Sequence, residues 1–231
     1  LTPNLGHCMS ALGIARELAI FFDKPIIEKK LPYEDAPQFL GSFIDGVKNQ
    51  ASPFWLRQTL LNAGMRPINA VVDITNYLLI KTGQPMHAYD AQKLQGKISL
   101  RTAEEEQNFV GLDLISRVVP QGALLVCDEK KTLALAGIMG GDNSAVSLET
   151  TSLMLEAAFF DGLSVRKTAR AMGMRTESSQ RFEKGIDREA IPLVMEEACA
   201  LITQLTGGVV KKENFEIRNK PSIPKEITLR P

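Results

Sequence analysis

Glu156 is the one acidic residue in the stretch TSLMLEAAFF, residues 151–160, in which the other side chains are apolar or small. An ionised carboxylate in a buried strand costs on the order of several kcal/mol unless it is paired or hydrogen-bonded. Glu156 therefore needs a partner. One candidate is an arginine from the basic stretch at residues 165–188, which would form an ion pair with an acid at the end of a strand.

His87 lies in the segment GQPMHAYD, after a glycine and a proline that are expected to turn the backbone sharply. An imidazole at such a turn can face a cleft and take part in proton transfer or hydrogen bonding. The alternative is a loop histidine that is hydrogen-bonded to a main-chain carbonyl group.

Gly137, Gly140 and Gly141 follow a predicted strand in the segment ALAGIMGGDNS. Glycines allow a ligand to approach the backbone closely, and backbone N–H groups in such a turn attract anions or carbonyl oxygens. An ordinary glycine-rich hairpin would have the same composition.

Seven basic and three acidic side chains lie between Val165 and Arg188, which gives this stretch a net charge of +4. Such a stretch can hold phosphate groups with a salt-dependent affinity. A solvated helix face with local ion pairs would have the same composition. The basic side chains are Arg166, Lys167, Arg170, Arg175, Arg181, Lys184 and Arg188.

Several common kinds of site are not expected in this sequence. It contains no GxxxxGK[ST], GxGxxG or GxSxG string, which argues against an ATP-binding loop and a nucleophile elbow. His7 and His87 are the only histidines, so a histidine-rich metal site is not expected. Cys8, Cys127 and Cys199 lie far apart and outside CxxC spacing, which disfavours disulfides and zinc and favours a reducing cytoplasm.

The bulk composition predicts a globular protein. The chain has 231 residues, of which 44% are hydrophobic, and this is enough to bury a sizeable core. Its formal net charge is zero, so no overall field favours DNA, RNA or a membrane surface. The sequence has no apolar run near 18 residues and no signal-peptide pattern, so neither membrane insertion nor export is expected.

Five helices are predicted from apolar periodicity and from end signals. In SPFWLRQTLLNAG, Ser52 is the expected N-cap, Pro53 the first helical residue and Gly64 the residue just past the end. NAVVDITNYLLIKTG mixes β-branched residues with a helical apolar face, and we favour a helix. SVRKTARAMG predicts a short helix from Ser164 to about Met172. The N-terminal helix is predicted from Leu12, Ala15, Ala19 and Phe22, and the long helix near the C terminus from Ile191, Val194, Met195, Ala198, Ile202 and Leu205.

Four short apolar segments bounded by turn residues predict strands of one shared sheet. They are ISLRTA, ALLVCD, LALAGIMGG and SLMLEAAFF. The expected fold class is therefore α/β, with a mixed sheet and flanking helices. The last twenty or so residues are polar, include Pro221 and Pro224, and are expected to form a connector.

Four segments together resemble the β subunit of bacterial phenylalanine–tRNA ligase, in the order that the family has them: LTPNLGHCMSALGIARE, SPFWLRQTLLNAGMRPINAVVDITNYLLIKTGQPMHAYD, LALAGIMGGDNS and SVRKTARAMGMRTESSQRFEKGID. The resemblance covers nearly the whole chain. It implies that residues 1–23 end the preceding domain, that residues 24–208 form the editing module, and that residues 209–231 form a closing segment and connector. The chain is accordingly expected to be a segment of a longer subunit.

The resemblance implies an activity, the hydrolysis of tyrosine wrongly attached to tRNA(Phe), releasing tyrosine and free tRNA. A synthetic pocket shaped for phenylalanine rejects one extra hydroxyl only by roughly a hundredfold, so a second site that demands the hydroxyl is physically sensible. The parent enzyme is expected to join phenylalanine to tRNA(Phe) with ATP and magnesium held in its catalytic α subunit, in an α2β2 assembly. No cofactor is expected in this segment.

The resemblance also implies site residues. Glu156 matches the acid that receives the tyrosine hydroxyl, which would make the ligand its missing partner. Ala136 and Gly137 match a pocket wall where a small side chain leaves room for an aromatic ring. The other matched positions are Arg66, Thr75 and Asn76 near the ester and the terminal adenosine, Pro85 and His87 at the rim where the attacking water is expected, and Thr176 with Ser178 on a second wall.

The expected mechanism is ester hydrolysis by a positioned water with a stabilised oxyanion. His87 can orient or deprotonate the water, Asn76 and backbone N–H groups near Gly137 can hold the oxyanion, and the terminal hydroxyl of the tRNA can assist. His87 is not expected to be an essential base.

Two other functions are compatible with the sequence. A non-catalytic module that binds tRNA or docks a subunit would carry the same basic stretch, but Glu156, His87 and Gly137 would then be dispensable. A free-standing editing hydrolase is less favoured, because the sequence starts in mid-pattern at Leu1 and ends in a connector-like segment.

Overall fold

The computed structural model of the protein describes residues 2–27, 38–212 and 214–218. Six α-helices lie in these residues, together with four short 3-10 helices. The α-helices are α1 (Ala11–Phe21), α2 (Phe54–Asn62), α3 (Ala70–Thr82), α4 (Gly162–Ala171), α5 (Glu177–Lys184) and α6 (Ile191–Thr206). The 3-10 helices are Pro3–Met9, Ala91–Lys93, Asp142–Ser144 and Arg188–Ala190.

The central sheet has five antiparallel strands. They are β1 (Phe39–Asp45), β2 (Met86–Asp90), β9 (Ser152–Ala158), β10 (Val209–Val210) and β11 (Phe215–Ile217). The order is β10-β1-β9-β2, and β11 also pairs with β1. Part of the predicted closing segment thus pairs with the central sheet, while residues 219–231 of the predicted connector lie outside the described residues.

A second sheet lies beside the central one. It contains β3 (Ser99–Thr102), β6 (Leu124–Cys127), β7 (Thr132–Leu135) and β8 (Met139–Gly140), in the order β3-β6-β7-β8. The strands β4 (Gln107–Val110) and β5 (Ser116–Val119) form a separate hairpin. The α/β fold class with flanking helices is confirmed. The prediction of one shared, mixed sheet is wrong. All strand pairs among the described residues are antiparallel, and SLMLEAAFF forms β9 of the central sheet while the other three segments form the second sheet.

The two faces of β9 pack against different cores, because successive side chains of a strand point to opposite faces. Met154 and Ala158 pack with the second sheet and with α4 and α5. Leu153, Leu155 and Ala157 pack with α2, α3 and α6. The position of Glu156 between Met154 and Ala158 therefore puts its side chain on the face that meets the second sheet.

The helix favoured for NAVVDITNYLLIKTG is confirmed as α3. The Asn69 side chain accepts a hydrogen bond from the Val72 N–H at 3.0 Å, and Gly83 ends the helix at a φ of +81°. The prediction of Ser52 as the N-cap of α2 is wrong. Pro53 is the N-cap, and the Ser52 hydroxyl instead donates to the buried Asp73 carboxylate at 2.5 Å.

The apolar stripes of the other helices are mostly confirmed. The predicted inward residues of α6 are all buried except Leu205, which is half-buried. In α1, Leu12, Ala15 and Ala19 are half-buried, but Phe22 follows the helix and is 61% exposed. No helix in the described residues is both long enough and apolar enough to cross a membrane.

Candidate functional site

A cleft of about 190 Å³ lies between β2 and β9 on one side and the β7–β8 turn with the start of α5 on the other. Apolar side chains, including Leu135, Phe160 and Phe182, form most of its walls. Seven of the ten residues that the sequence predicted for a site line this cleft. They are Pro85, His87, Ala136, Gly137, Glu156, Thr176 and Ser178.

Glu156 is the buried acid of the cleft, with only 7% of its surface exposed. In the sheet it lies opposite Gly41 of β1 and opposite His87 of β2. Its Oε2 atom accepts a hydrogen bond from the Tyr89 hydroxyl. This contact corrects two expectations, since the partner of Glu156 is neither an arginine of the basic stretch nor a ligand alone.

Burial dominates the ionisation of Glu156. It raises the pKa of Glu156 to about 7, and the hydrogen bond from Tyr89 opposes this shift. Burial and the adjacent carboxylate raise the pKa of Tyr89 well above its ordinary value. At neutral pH the phenol is therefore protonated and donates, whereas Glu156 is close to its midpoint.

Tyr89 is a site residue that the sequence reasoning missed. It is fully buried, lines the cleft, and belongs to the same segment GQPMHAYD as His87. Period-two alternation in β2 was the available signal, because it puts residues 87 and 89 on the same face as the acid. That signal required a strand at this segment, where the sequence predicted a turn.

His87 lies on β2 and not in a loop, so the expectation of a loop histidine is wrong. Its ring packs edge-on against Tyr89, with centroids 4.4 Å apart, and closely against Gly140. The Nε2 atom is buried and has no hydrogen-bond partner among the described residues. Burial lowers the pKa of His87 to about 4, so the imidazole is neutral at pH 7.

Gly137 is the centre of the β7–β8 turn. Its φ is +72°, a left-handed conformation that favours glycine, and a Cβ there would lie 2.9 Å from Phe182 Cδ2. The N–H groups of Ala136 and Ile138 donate to the carbonyls of Leu124 and Leu135. Within the part of the chain that the structure describes, the Gly137 N–H has no acceptor.

Thr176 joins α5 to the β7–β8 turn. As the N-cap of α5 it accepts a hydrogen bond from the Ser179 N–H at 3.0 Å, while its hydroxyl donates to the Ile138 carbonyl at 2.9 Å. The Ser179 hydroxyl accepts in turn from the Thr176 N–H, which completes a capping box. These bonds hold Ser178 and the first turn of α5 at the cleft.

Three predicted site residues do not line the cleft. Thr75 and Asn76 lie on α3, which packs with α6 on the opposite face of the central sheet, and the Thr75 hydroxyl donates to the Val72 carbonyl at 2.8 Å. Arg66 is exposed beside a separate groove of about 540 Å³ that is also lined by Asp73. The roles implied for these three residues stay predictions.

The basic stretch divides into buried and exposed side chains. Arg181 is buried and donates to the Glu177 carboxylate at 2.7 Å and to the Met9 carbonyl at 3.0 Å. Arg188 lies over the Phe159 ring, 5.8 Å from its centroid. The exposed basic residues, which are accessible to phosphates, are Arg166, Lys167, Arg170 and Arg175.

A group of potential metal ligands lies away from the cleft. The ligand atoms of His7, Cys8 and Glu17 lie within 4.8 Å of one another, and His7 Nε2 and Glu17 Oε1 are hydrogen-bonded at 2.8 Å. Two of the three residues are exposed. In the cleft, by contrast, the ionisable lining residues within the described part of the chain are His87, Tyr89 and Glu156.

The fold and the cleft define an α/β domain with a small, largely apolar site and one buried acid. The sequence matches the family described as the B3/4 domain over residues 35–207, and the chain belongs to that family. It is 39% identical to the phenylalanine–tRNA ligase beta subunit of Carboxydothermus hydrogenoformans and 38% identical to that of Syntrophotalea carbinolica. Each match covers 99% of this chain and 31% of the relative, so the chain spans about a third of the length of these proteins.

Among solved structures, the chain is similar to an N-terminal fragment of the phenylalanyl-tRNA synthetase beta subunit from Pyrococcus horikoshii. The TM-score is 0.45 and the sequence identity is 15%, with 95% of this chain and 65% of that chain covered. The family match and the curated relatives confirm the resemblance that the sequence motifs indicated.

Proposed function

We propose that this chain is the editing segment of a phenylalanine–tRNA ligase β subunit and hydrolyses the ester bond of Tyr-tRNA(Phe). The observation that carries the proposal is the buried carboxylate of Glu156 in a cleft of about 190 Å³ with mainly apolar walls. Cavities of about 150 Å³ bind a single benzene ring. The cleft is therefore large enough for one aromatic side chain that ends in a hydrogen-bond donor.

Selection of tyrosine over phenylalanine follows from the burial of the acid. A tyrosine ring in the cleft can donate its hydroxyl hydrogen to Glu156, whereas phenylalanine leaves the carboxylate without that donor. Sites that require a substrate hydroxyl reject the analogue lacking it by roughly 10⁴ to 10⁵. An aminoacylation pocket for phenylalanine excludes the tyrosine hydroxyl less strongly than this. The selection of tyrosine by the cleft therefore complements the selection of phenylalanine by that pocket.

Hydrolysis needs a water molecule, a proton acceptor and a donor to the oxyanion. The free N–H of Gly137 is the donor that this cleft supplies. A neutral His87 orients water by hydrogen bonding better than it deprotonates it, because a base with a pKa of about 4 is weak at pH 7. The terminal hydroxyl of the tRNA is the further group that can assist proton transfer.

The parent protein would supply the remaining parts. Its partners would be the aminoacylated 3′ end of tRNA(Phe) and a catalytic α subunit in an α2β2 assembly. ATP and magnesium would be used in that α subunit. The assembly would act in the cytoplasm. The exposed basic side chains of α4 and the following turn are suited to the phosphates of the tRNA acceptor end.

The test is the release of tyrosine from Tyr-tRNA(Phe), compared with the release of phenylalanine from Phe-tRNA(Phe). We expect the chain to release tyrosine faster, and we expect Glu156→Ala to lose this preference. If the isolated chain does not act, the same substitution is tested in the full α/β enzyme. Editing that survives Glu156→Ala there would show that Glu156 is structural and that the proposal is wrong.

A docking module without catalytic activity is the second candidate. Exposed apolar residues on and after α1 favour it, namely Leu18, Ile20, Phe21, Phe22 and Ile27. Under this alternative, substitutions at Glu156, His87 and Gly137 leave the editing of the full enzyme unchanged, whereas polar substitutions on α1 disrupt subunit assembly.

A further inference from the structure

Tyr89 is held in one position beside the acid. Its side chain is fully buried, and the edge-on contact with His87 limits movement of the ring. The antiparallel pairing of β2 with β9 fixes the strand that carries it relative to Glu156. These contacts hold the Tyr89 hydroxyl at Glu156.

The hydrogen bond leaves the two carboxylate oxygens of Glu156 in different states. Oε2 accepts from Tyr89. Oε1 accepts no hydrogen bond from any described residue. It is also not fully buried. A carboxylate accepts several hydrogen bonds, so Oε1 is the atom that can receive a donor from the cleft.

We propose that Tyr89 is a positioning residue for tyrosine recognition: its hydroxyl stabilises the ionised, accepting form of Glu156 and directs Oε1 to the substrate's phenolic hydroxyl. The proposal rests on the proposed function and deepens it, since it assigns the control of the acid to a residue of this chain. Tyr89 acts through Glu156 and is not itself a catalytic residue.

The electrostatic surroundings explain why such a residue is needed. Burial favours the protonated form of Glu156, and a carboxylic acid would present its own hydrogen where an acceptor is required. The titratable groups facing this region are His87 and Tyr89 from β2 and Cys127 of β6, which is electrostatically coupled to Tyr89. β1 places Gly41 opposite the acid, and the described lining of β7, β8 and α5 contributes no ionisable side chain.

None of these groups is a cation that could stabilise the carboxylate at pH 7. His87 is neutral there, and Cys127 is a thiol whose pKa is raised by burial. Among the described residues, the Tyr89 hydroxyl is thus the one side-chain donor that stabilises ionised Glu156.

The experiment uses Tyr89→Phe, which removes only the hydroxyl, and Tyr77→Phe as a matched control on α3, outside the cleft. Carbon-13 NMR of labelled glutamate follows the titration of Glu156 in each protein, assigned with Glu156→Gln. In parallel, tyrosine release from Tyr-tRNA(Phe) is measured between pH 6 and 8.5 and corrected for spontaneous hydrolysis. Thermal unfolding checks that each variant is folded.

We expect the midpoint of the Glu156 titration to rise by about one to two pH units in Tyr89→Phe, the range for a lost hydrogen bond to a charged group. The acidic limb of kcat/KM for tyrosine release should move by the same amount, which corresponds to a loss of about five- to fiftyfold at pH 7. Tyr77→Phe should change neither quantity.

An unchanged Glu156 titration in folded Tyr89→Phe would overturn the proposal. A wild-type protein that releases no tyrosine at any pH, alone or within the full enzyme, would instead overturn the proposed function. If Tyr89→Phe does not fold, 3-fluorotyrosine at position 89 replaces it. Its hydroxyl is a stronger donor, so the Glu156 midpoint should move to lower pH, and a midpoint that stays in place contradicts the proposal.

Discussion

His87 and Glu156 lie directly opposite each other in the antiparallel pair of β2 and β9, yet the carboxylate is hydrogen-bonded to Tyr89, two residues further along β2. Diagonal neighbours on one face of a sheet are within reach of long aromatic side chains. Burial moves the pKa of the opposed pair in opposite directions, to about 7 for Glu156 and about 4 for His87. Both shifts favour the neutral forms, so the pair is not a buried ion pair at acidic pH.

Glu156→Gln should remove a pH dependence of stability. The folded-state pKa of about 7 lies above the ordinary value of 4.5, so the folded protein holds this proton more tightly than the unfolded chain. That contribution is fully present below pH 4.5 and is lost as the pH rises to 7, a change on the order of 3 kcal/mol. Denaturant unfolding of the wild type and of Glu156→Gln at pH 4.5 and pH 7.5 measures this change in the free energy of unfolding.

The comparison isolates Glu156, because His87 is present in both proteins. The lowered pKa of His87 acts with the opposite sign and stabilises the fold as the pH rises from about 4 to 6.5. A stability difference between Glu156→Gln and wild type that does not vary with pH would contradict the raised pKa.

His87→Ala should slow tyrosine release only modestly, by less than about 100-fold, which is the lower end of the range for loss of a general acid or base. The reason is that the buried imidazole is neutral and a weak base at pH 7. Single-turnover deacylation, with circular dichroism to confirm folding, gives the factor. Complete loss of activity in a folded variant would mean that His87 is the essential base.

Gly137→Ala should destabilise the protein by about 2–4 kcal/mol, since a left-handed alanine costs about 1–2 kcal/mol and overpacking adds a similar amount. The new Cβ would lie 2.9 Å from Phe182 and 3.0 Å from Val165. Gly46→Ala is the matched control, because Gly46 has a φ of +70° but no atom within 4 Å of the added Cβ. Denaturant unfolding should show a clearly larger loss in the free energy of unfolding for Gly137→Ala than for Gly46→Ala. Equal losses would show that the contacts of the added Cβ at the cleft do not contribute to the destabilisation.

Asp73→Ala should destabilise the protein by about 2–4 kcal/mol, because each buried donor left without an acceptor costs about 1–3 kcal/mol. Asp73 accepts from the Ser52 hydroxyl at 2.5 Å and from the Ile68 N–H at 2.7 Å, and it is almost fully buried. A double-mutant cycle with Ser52→Ala measures the part that belongs to the side-chain pair. Additive effects of the two substitutions would show that this hydrogen bond does not contribute to stability.

Local signals in the sequence were sufficient for the helices and for most of the cleft. The apolar face of α3 and the glycine that ends it could be predicted from the sequence, because caps and helical periodicity depend on neighbours within a few residues. Seven residues of the cleft were identified from motifs that resemble a known family, and the structure brings them together from four separate parts of the chain. The B3/4 family match supports the same resemblance.

Strand order is what the local patterns did not contain. Short apolar strands look alike whichever sheet they join, so SLMLEAAFF was expected in the same sheet as LALAGIMGG, and a strand at GQPMHAYD was missed. Ser52 was expected to cap α2 because its type and position fit, but the buried Asp73 is an acceptor that only the folded chain brings within reach.

The sequence by itself determined that an acid in an apolar strand requires a partner, because the cost of burying a charge does not depend on the details of the fold. Only the tertiary structure decided that the partner is Tyr89. That choice depends on which strand lies beside β9, in which register, and on which face the side chains meet. Those are properties of long-range pairing, and no spacing within one segment specifies them.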